Sequence, residues 1–418
     1  MRRLLAALVI VVAVFAIAVY VLNVRDESPR GPSTSVASSA DVLRRGEYLA
    51  RAGDCIACHT ARGGAAFAGG RPIETPFGVV YGTNLTPDER TGLGTWTPDD
   101  FWRALHNGRS RDGRLLYPAF PYPNFTNVTR ADADALFAYL RTLPAVAQPN
   151  TPHALRFPYD NVVALATWRA LFFRPGVYTS DGSQSAEWNR GAYLARGLGH
   201  CDACHAERNL FGAVSHRLEL GGGLIPLQNW YAPPLTSAAG AGVADWDTMH
   251  VVALLRTGVS PRGSAMGPMA EVVYQSTQYL TEEDARAIAV FLKSLPQVAP
   301  PAAAPAASID AGVTTRGAKL YEDHCSECHG KEGEGAYPAY PALAGNRTVT
   351  ADPPANAIRA VVSGGYAPST AGNPRPYGMP PFVYALREDD IAAVLTYVRA
   401  SFGNRARAVT TFDVQRYR

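Results

Sequence analysis

Three short stretches constrain this chain more than anything else in it: DCIACHT at 54–60, HCDACHA at 200–206 and HCSECHG at 324–330. Each sets two cysteines apart by two residues and puts a histidine directly after the second. All six cysteines, Cys55, Cys58, Cys201, Cys204, Cys325 and Cys328, are used in this way and none is left over. A disulfide framework has no need of a histidine after each second cysteine. A zinc centre gathers four ligands, whereas these pairs lie over a hundred residues apart in the sequence. A thiol redox pair of the thioredoxin kind belongs in a βαβ context, and clean period-2 alternation is scarce here. What remains is the attachment signature of c-type haem. Two thiols close in sequence add across the vinyl groups on one edge of a porphyrin, and the next residue gives its imidazole nitrogen to the iron. A ring held in this way becomes most of the core, so a domain around it can be small.

The frames around the motifs recur as well. The openers read RRGEYLARAGDCIACHT, NRGAYLARGLGHCDACHA and TRGAKLYEDHCSECHG. The closers are TRADADALFAYLRTLP (129–144), TEEDARAIAVFLKSLP (281–296) and REDDIAAVLTYVRASF (387–402). Thr129 and Thr281 are placed to cap helices whose first turns are acidic. Ala135, Leu136, Tyr139 and Leu140, like Ile391, Val394, Leu395 and Val398, fall at helical spacing, and Pro144 and Pro296 stop the first two closers. Gly (38) and Pro (32) are abundant, which suits ordered loops between short helices. A repeat of about 100 residues or more means tandem domains rather than a solenoid. The expected fold is therefore all-α, with domains at 41–146, 183–297 and 311–405, a connecting segment at 147–182 and a Pro/Ala linker at 298–310.

The first residues carry a different signal. Arg2 and Arg3 precede an apolar run from Leu4 to Leu22. A signal-peptide core has about 7–15 apolar residues, whereas about 20 suffice to cross a bilayer. The arginine pair sets the N-terminus inside and exports the rest. Residues 1–24 are thus expected to be an anchor helix, with Ala16-Ile17-Ala18 leaving a cleaved signal as the alternative, and 25–40 a polar tether. A net charge of +3 gives no case for nucleic acid as a partner. No Gly-rich nucleotide loop and no carboxylate pair at useful spacing is present, so no catalytic residue is assigned.

The three units resemble class I cytochrome c domains. The chain from about 41 to 403 resembles the three-haem cytochrome c subunits of bacterial membrane-bound dehydrogenases, the partners of alcohol, gluconate and sorbitol dehydrogenases and of molybdenum hydroxylases. GAYLARGLGHCDACH, GPMAEVVYQSTQYLTEEDARAIAVFLKSLP and MPPFVYALREDDIAAVLTYVR carry that resemblance. It implies three covalently bound haem c groups, with His59, His205 and His329 as proximal iron ligands. Methionine is the usual distal ligand. Met379 in YGMPPF and Met269 in GPMAEV take that place by resemblance, with Met266 the rival of Met269. Met249, on a helix-like stretch, reads as core. The first unit has no methionine. In LYPAFPY (116–122) Phe120 stands where related subunits often have one, and the Phe variant resembles subunits paired with molybdenum hydroxylases. The first iron then has either another distal ligand, His106 or His153, or an open position. By analogy Pro341 offers its carbonyl to His329, and APPLTS (232–237) does the same for His205, while the first unit has GTNLTPD instead. Trp96, Trp102, Trp230, Trp246, Tyr122 and Tyr377 are of the type that bonds haem propionates.

The resemblance implies an electron-transfer subunit on the periplasmic face of the bacterial cytoplasmic membrane. It would receive electrons from a dehydrogenase catalytic subunit, a molybdenum hydroxylase or a flavin or quinone dehydrogenase, and pass them to quinone or a terminal oxidase. The alternative is a multihaem enzyme, a peroxidase or small-ligand reductase, working at an open first haem.

Overall fold

The structure, a computed structural model, describes residues 1–25, 27, 39–215, 217–237, 240–298 and 310–418. Most of the expected tether and most of the Pro/Ala linker lie outside the described residues. The chain is largely helical with short strands, and it divides into two compact units: Met1–Ser180 with Arg196–His200, and Asp181–Ala195 with Cys201–Arg418.

The first unit holds α1 (Arg2–Val24), α2 (Ala40–Ala52), α3 (Pro98–Asn107), α4 (Arg130–Leu140) and α5 (Val162–Phe172). A small antiparallel sheet orders Pro72–Thr75, Gly78–Tyr81 and Ala154–Leu155 side by side. α1 is long and apolar enough to cross a membrane, and none of it is buried. α3 starts on a reciprocal cap between Thr97 and Asp100 with Pro98 at its first position, and it ends on Gly108 at φ 57°, a backbone region that favours glycine. Thr129 caps α4 by accepting the Asp132 N–H. Leu49, Val128, Leu136, Leu140, Phe101 and Phe125 form the core between these helices.

The second unit holds α6 (Ala186–Arg196, of which the last residue counts with the first unit), α7 (Thr248–Thr257), α8 (Pro268–Gln275), α9 (Glu282–Ser294), α10 (Ala311–His324), α11 (Ala355–Ser363), α12 (Glu388–Ala400) and α13 (Thr411–Tyr417). α13 extends the third expected domain past residue 405. Its Val414 and Tyr417 are buried in one cluster with Ile358, Ile391 and Val398. Arg399 is fully buried at the centre of this region and donates to the carbonyls of Val349, Ala351 and Arg407.

One local device appears three times. Each opener helix carries Arg-Gly, and each pair meets the closing helix. Arg45 pairs with Asp132 at 2.5 Å, Arg190 with Asp284 at 2.6 Å and Arg316 with Asp390 at 2.5 Å. Each aspartate lies in the first turn of its closing helix, where negative charge is favoured. The glycine next to the arginine lets the two backbones touch. A Cβ on Gly46, Gly191 or Gly317 would come within 2.0, 1.9 or 2.3 Å of the carbonyl oxygen of Ala135, Ala287 or Ala393. Opener and closer are thus locked at one crossing point in each case.

Within the second unit, the segment before α7 is tied to α11 and to the segment before it. Arg347 Nη2 donates to both carboxylate oxygens of Asp245, at 2.8 and 2.7 Å. Asn356 donates to Tyr231 O at 2.7 Å and accepts the Tyr231 N–H at 2.9 Å. The hydrogen bond from Arg347 holds the Asp245 carboxyl below its usual range, against the opposing effect of burial. A depressed folded-state value adds stability above the unfolded value of about 3.9, and that stability is lost as pH falls through the folded value. Asp245 is half exposed, so Asp245→Ala is expected to cost only about 1 kcal/mol at pH 7. Denaturant titration should find the cost falling in high salt and disappearing in acid.

Candidate haem sites

Each cysteine pair sits on a single helical turn: Cys55–Cys58, Asp202–His205 following directly on Cys201, and Ser326–His329 following directly on Cys325. Asp54, at φ 52°, turns the chain from α2 into the first of them. The turn brings each pair of sulfurs and its histidine together. Burial pushes the thiols of Cys55 and Cys201 up to about 12 and that of Cys325 up to about 11, which disfavours the thiolate at the first cysteine of each pair. Among the described residues no group of three or more His, Cys, Asp or Glu side chains is arranged to hold a bare metal ion.

The three histidines share one geometry. His59 Nδ1 donates to Thr83 O at 2.6 Å, His205 Nδ1 to Pro233 O at 2.9 Å and His329 Nδ1 to Pro341 O at 2.9 Å. Burial holds all three below the usual imidazole value, against the opposing effect of these bonds. Each ring is therefore neutral near pH 7, with its proton on Nδ1 and its Nε2 lone pair free. That is the tautomer an iron ligand requires, and the carbonyl fixes the ring's direction. APPLTS and Pro341, both named from the sequence, supply two of the carbonyls. Thr83 was not singled out as the third, although GTNLTPD, which contains it, holds the corresponding place in the first unit.

Two further atoms fit the group. Trp246 Nε1 and Thr236 Oγ1 are buried with no partner. A buried donor left unpaired costs about 1–3 kcal/mol, and both are donors that a haem carboxylate satisfies. Of the aromatic residues named from the sequence, Trp246 carries such a donor on Nε1 and Tyr122 another on Oη.

Met269 is the second residue of α8 and is half-buried. Gly267 before it adopts φ 56°, and a Cβ there would strike the Trp230 ring at 2.5 Å. Met379 lies in a two-residue strand paired with Gly365–Tyr366 and is also half-buried. The Met266 methyl packs beside Gly365, 3.5 Å from where a Cβ on that residue would sit. Met249 departs from the sequence reading. It is 46% exposed in the first turn of α7, because that turn presents it outward while Val251, Val252 and Leu255 face the core.

The first unit differs at the corresponding place. The Phe120 ring packs against the core with its centroid 5.3 Å from that of Phe125. His106 donates from Nδ1 to Thr126 O at 3.0 Å and stacks flat on Trp102, with centroids 4.5 Å apart. His153 accepts the Tyr81 N–H on Nδ1 at 3.2 Å. That bond uses the Nδ1 lone pair and leaves the proton of the neutral ring on Nε2, the wrong tautomer for ligation through that atom.

Comparison with known proteins identifies the family to which the chain belongs. The cytochrome c family profile matches residues 43–144 and 314–401. The chain is 42% identical over 87% of its length to a component of the nicotinate dehydrogenase of Pseudomonas putida, but spans only 30% of that longer protein. It is 36% identical to the cytochrome c subunit of the quinone alcohol dehydrogenase of Gluconacetobacter polyoxogenes, over 92% of this chain and 86% of the relative. It is also 36% identical to the gluconate 2-dehydrogenase cytochrome c subunit of Pantoea cypripedii, over 88% of each. The alcohol and gluconate relatives match the chain over most of their length and most of its own, and the chain belongs to the family of cytochrome c subunits of membrane dehydrogenases.

Proposed function

We propose that this chain is a three-haem c-type electron-transfer subunit, held by α1 at the periplasmic face of the bacterial cytoplasmic membrane. It carries electrons from a dehydrogenase catalytic subunit to quinone or a terminal oxidase. The observation that carries this reading is the threefold recurrence of one site: a cysteine pair on a helical turn, and a half-buried neutral histidine whose Nδ1 is tied to a backbone carbonyl. Bound haem supplies the one-electron chemistry, and the protein supplies attachment, axial ligands and access. Cys55 and Cys58, Cys201 and Cys204, and Cys325 and Cys328 would hold the rings through thioethers. His59, His205 and His329 would ligate from one side, and Met269 and Met379 from the other in the second and third units. The three Arg-Gly crossings support three equivalent domains, at 41–146, 183–297 and 311–405. The relatives are components named for alcohol, gluconate and nicotinate dehydrogenases, which supports a dehydrogenase as the electron donor.

In this reading no side chain of the first unit caps its iron. Phe120 has no donor atom and His153 holds the wrong tautomer, while His106, whose Nδ1 bond to Thr126 O leaves Nε2 free, stays stacked flat on Trp102. The test joins mass and spectrum. Intact-mass analysis is expected to find three haem groups on the chain, and carbon monoxide is expected to shift the reduced spectrum of about a third of the haem. A bare-chain mass would sink the whole proposal. Full haem content with no shift would give the sixth position to His106, whose Nε2 lone pair is free. Reductive turnover of a small ligand at that iron would favour the enzymatic reading over simple electron transfer.

A further inference from the structure

The connecting segment between the first and second motifs contains an element that haem binding does not explain. α5 and the loop before it present Phe157 (82% exposed), Val162 (65%), Val163 (60%) and Leu171 (68%) to solvent. Single apolar residues on a surface are ordinary, but a contiguous group marks a contact. On α5, Val163 and Leu171 stand on one face two turns apart, while Leu165, Arg169 and the following Phe173 are buried on the other. Arg156 and Arg174 flank the apolar group and are exposed.

The position of α5 relative to α1 says what covers that face. Asn23, at the end of α1, donates to Ala166 O in the middle of α5 at 2.8 Å. Arg169 of α5 is buried, stacks over the Tyr122 and Phe173 rings, and donates back to Asn23 Oδ1 at 3.0 Å. Glu27, just beyond, pairs with Arg109 at 2.6 Å and Arg103 at 3.2 Å. These bonds join the end of α1 to the first unit directly. The apolar run Leu4–Leu22 is 19 residues, about 28 Å of helix, which matches a hydrocarbon core of about 30 Å. Asn23 then falls at the edge of that core, and α5, bonded to Asn23 at its midpoint, shares that level.

We propose that α5 and the Phe157 loop form a second membrane contact, seated at the boundary between headgroups and acyl chains beside α1. The first haem unit is then held against the bilayer at a fixed height, and does not swing on a polar tether. An apolar face flanked by arginines is what such a boundary, with anionic lipids, takes up. The inference rests on the reading of α1 as a retained membrane span.

The test uses the full haem-loaded chain in vesicles of phosphatidylcholine and phosphatidylglycerol. Thiols are introduced singly at Val163→Cys, Leu171→Cys and, on an exposed turn of the other unit, Gln184→Cys, and each is spin-labelled. Relaxation by oxygen, which concentrates in lipid, is compared with relaxation by a water-soluble nickel chelate. The ratio is expected to be several-fold higher at 163 and 171 than at 184. Equal ratios at all three sites, on protein that floats with the vesicles, would overturn the membrane seat and leave the anchor standing. A face that becomes protected only when a dehydrogenase catalytic component is added would also overturn it, in favour of a protein contact. Protein that fails to float would overturn the anchor reading, and the seat with it.

Discussion

Phe120→Met raises the midpoint potential of the first haem by on the order of 100 mV and abolishes its response to carbon monoxide. The argument starts from position. Phe120-Pro121 precedes α4 much as Met379-Pro380 precedes α12. A thioether on the distal side favours ferrous iron over ferric, so a site with methionine is easier to reduce than one without. The substitution is close to volume-conserving, and the Phe120 side chain is half-buried against Phe125, so the stability cost should stay below about 1.5 kcal/mol. Spectroelectrochemical titration should resolve one midpoint moving while the other two stay in place. Unchanged midpoints together with an unchanged carbon monoxide spectrum would mean that position 120 does not face the iron, and that the first loop does not correspond to the third.

The same comparison says how electrons would be distributed. In the proposed reading, two sites with sulfur and one without would differ in potential. Residues that differ only in the distal loop would therefore set a gradient along a chain whose attachment turns are alike. In the proposed reading Met269 serves the second iron, and the Met266 methyl lies beside Gly365.

The parts of this architecture that can be read from the chain are those governed by local rules. The Cys-x-x-Cys-His turns, the Thr129 and Thr281 caps and the helical spacing of the closers all depend on residues within a few positions of one another. The Arg-Gly dipeptides were visible as a recurrence, but their purpose was not, because the carbonyl that each glycine meets lies between 76 and 96 residues further on, from Gly317 to Ala393 and from Gly191 to Ala287. The partner of His59 was missed for a related reason. Any backbone carbonyl can accept its proton, so the Thr83 side chain left no sign. α13 and the one-sided burial of α5 depend on what packs against them, which composition alone does not reveal. Met249 reads as core from its place on a helix-like stretch, whereas its exposure follows from the phase of α7 against its neighbours.

Gly191→Ala and Gly317→Ala are the substitutions for which local and tertiary rules make opposite predictions. Both glycines sit inside helices, α6 and α10. By helix propensity alone, alanine should stabilise each by about 1 kcal/mol. The crossing reverses the sign. The new Cβ of Gly191→Ala would lie 1.9 Å from Ala287 O, and that of Gly317→Ala 2.3 Å from Ala393 O, against backbone that cannot swing aside. The helices must separate, which weakens Arg190–Asp284 or Arg316–Asp390 as well. The expected net loss is about 3 kcal/mol, at the upper end for overpacking. For a unit of this size that is a fall of about 10 °C in Tm. Gly182→Ala is the control, since a Cβ there meets nothing within 4 Å, and it should change stability by less than about 0.5 kcal/mol. Thermal unfolding of the three haem-loaded variants decides the matter. If Gly191→Ala and Gly317→Ala are as stable as the control, the helices do not cross at these glycines, and the shared construction inferred for the three haem domains loses its physical basis.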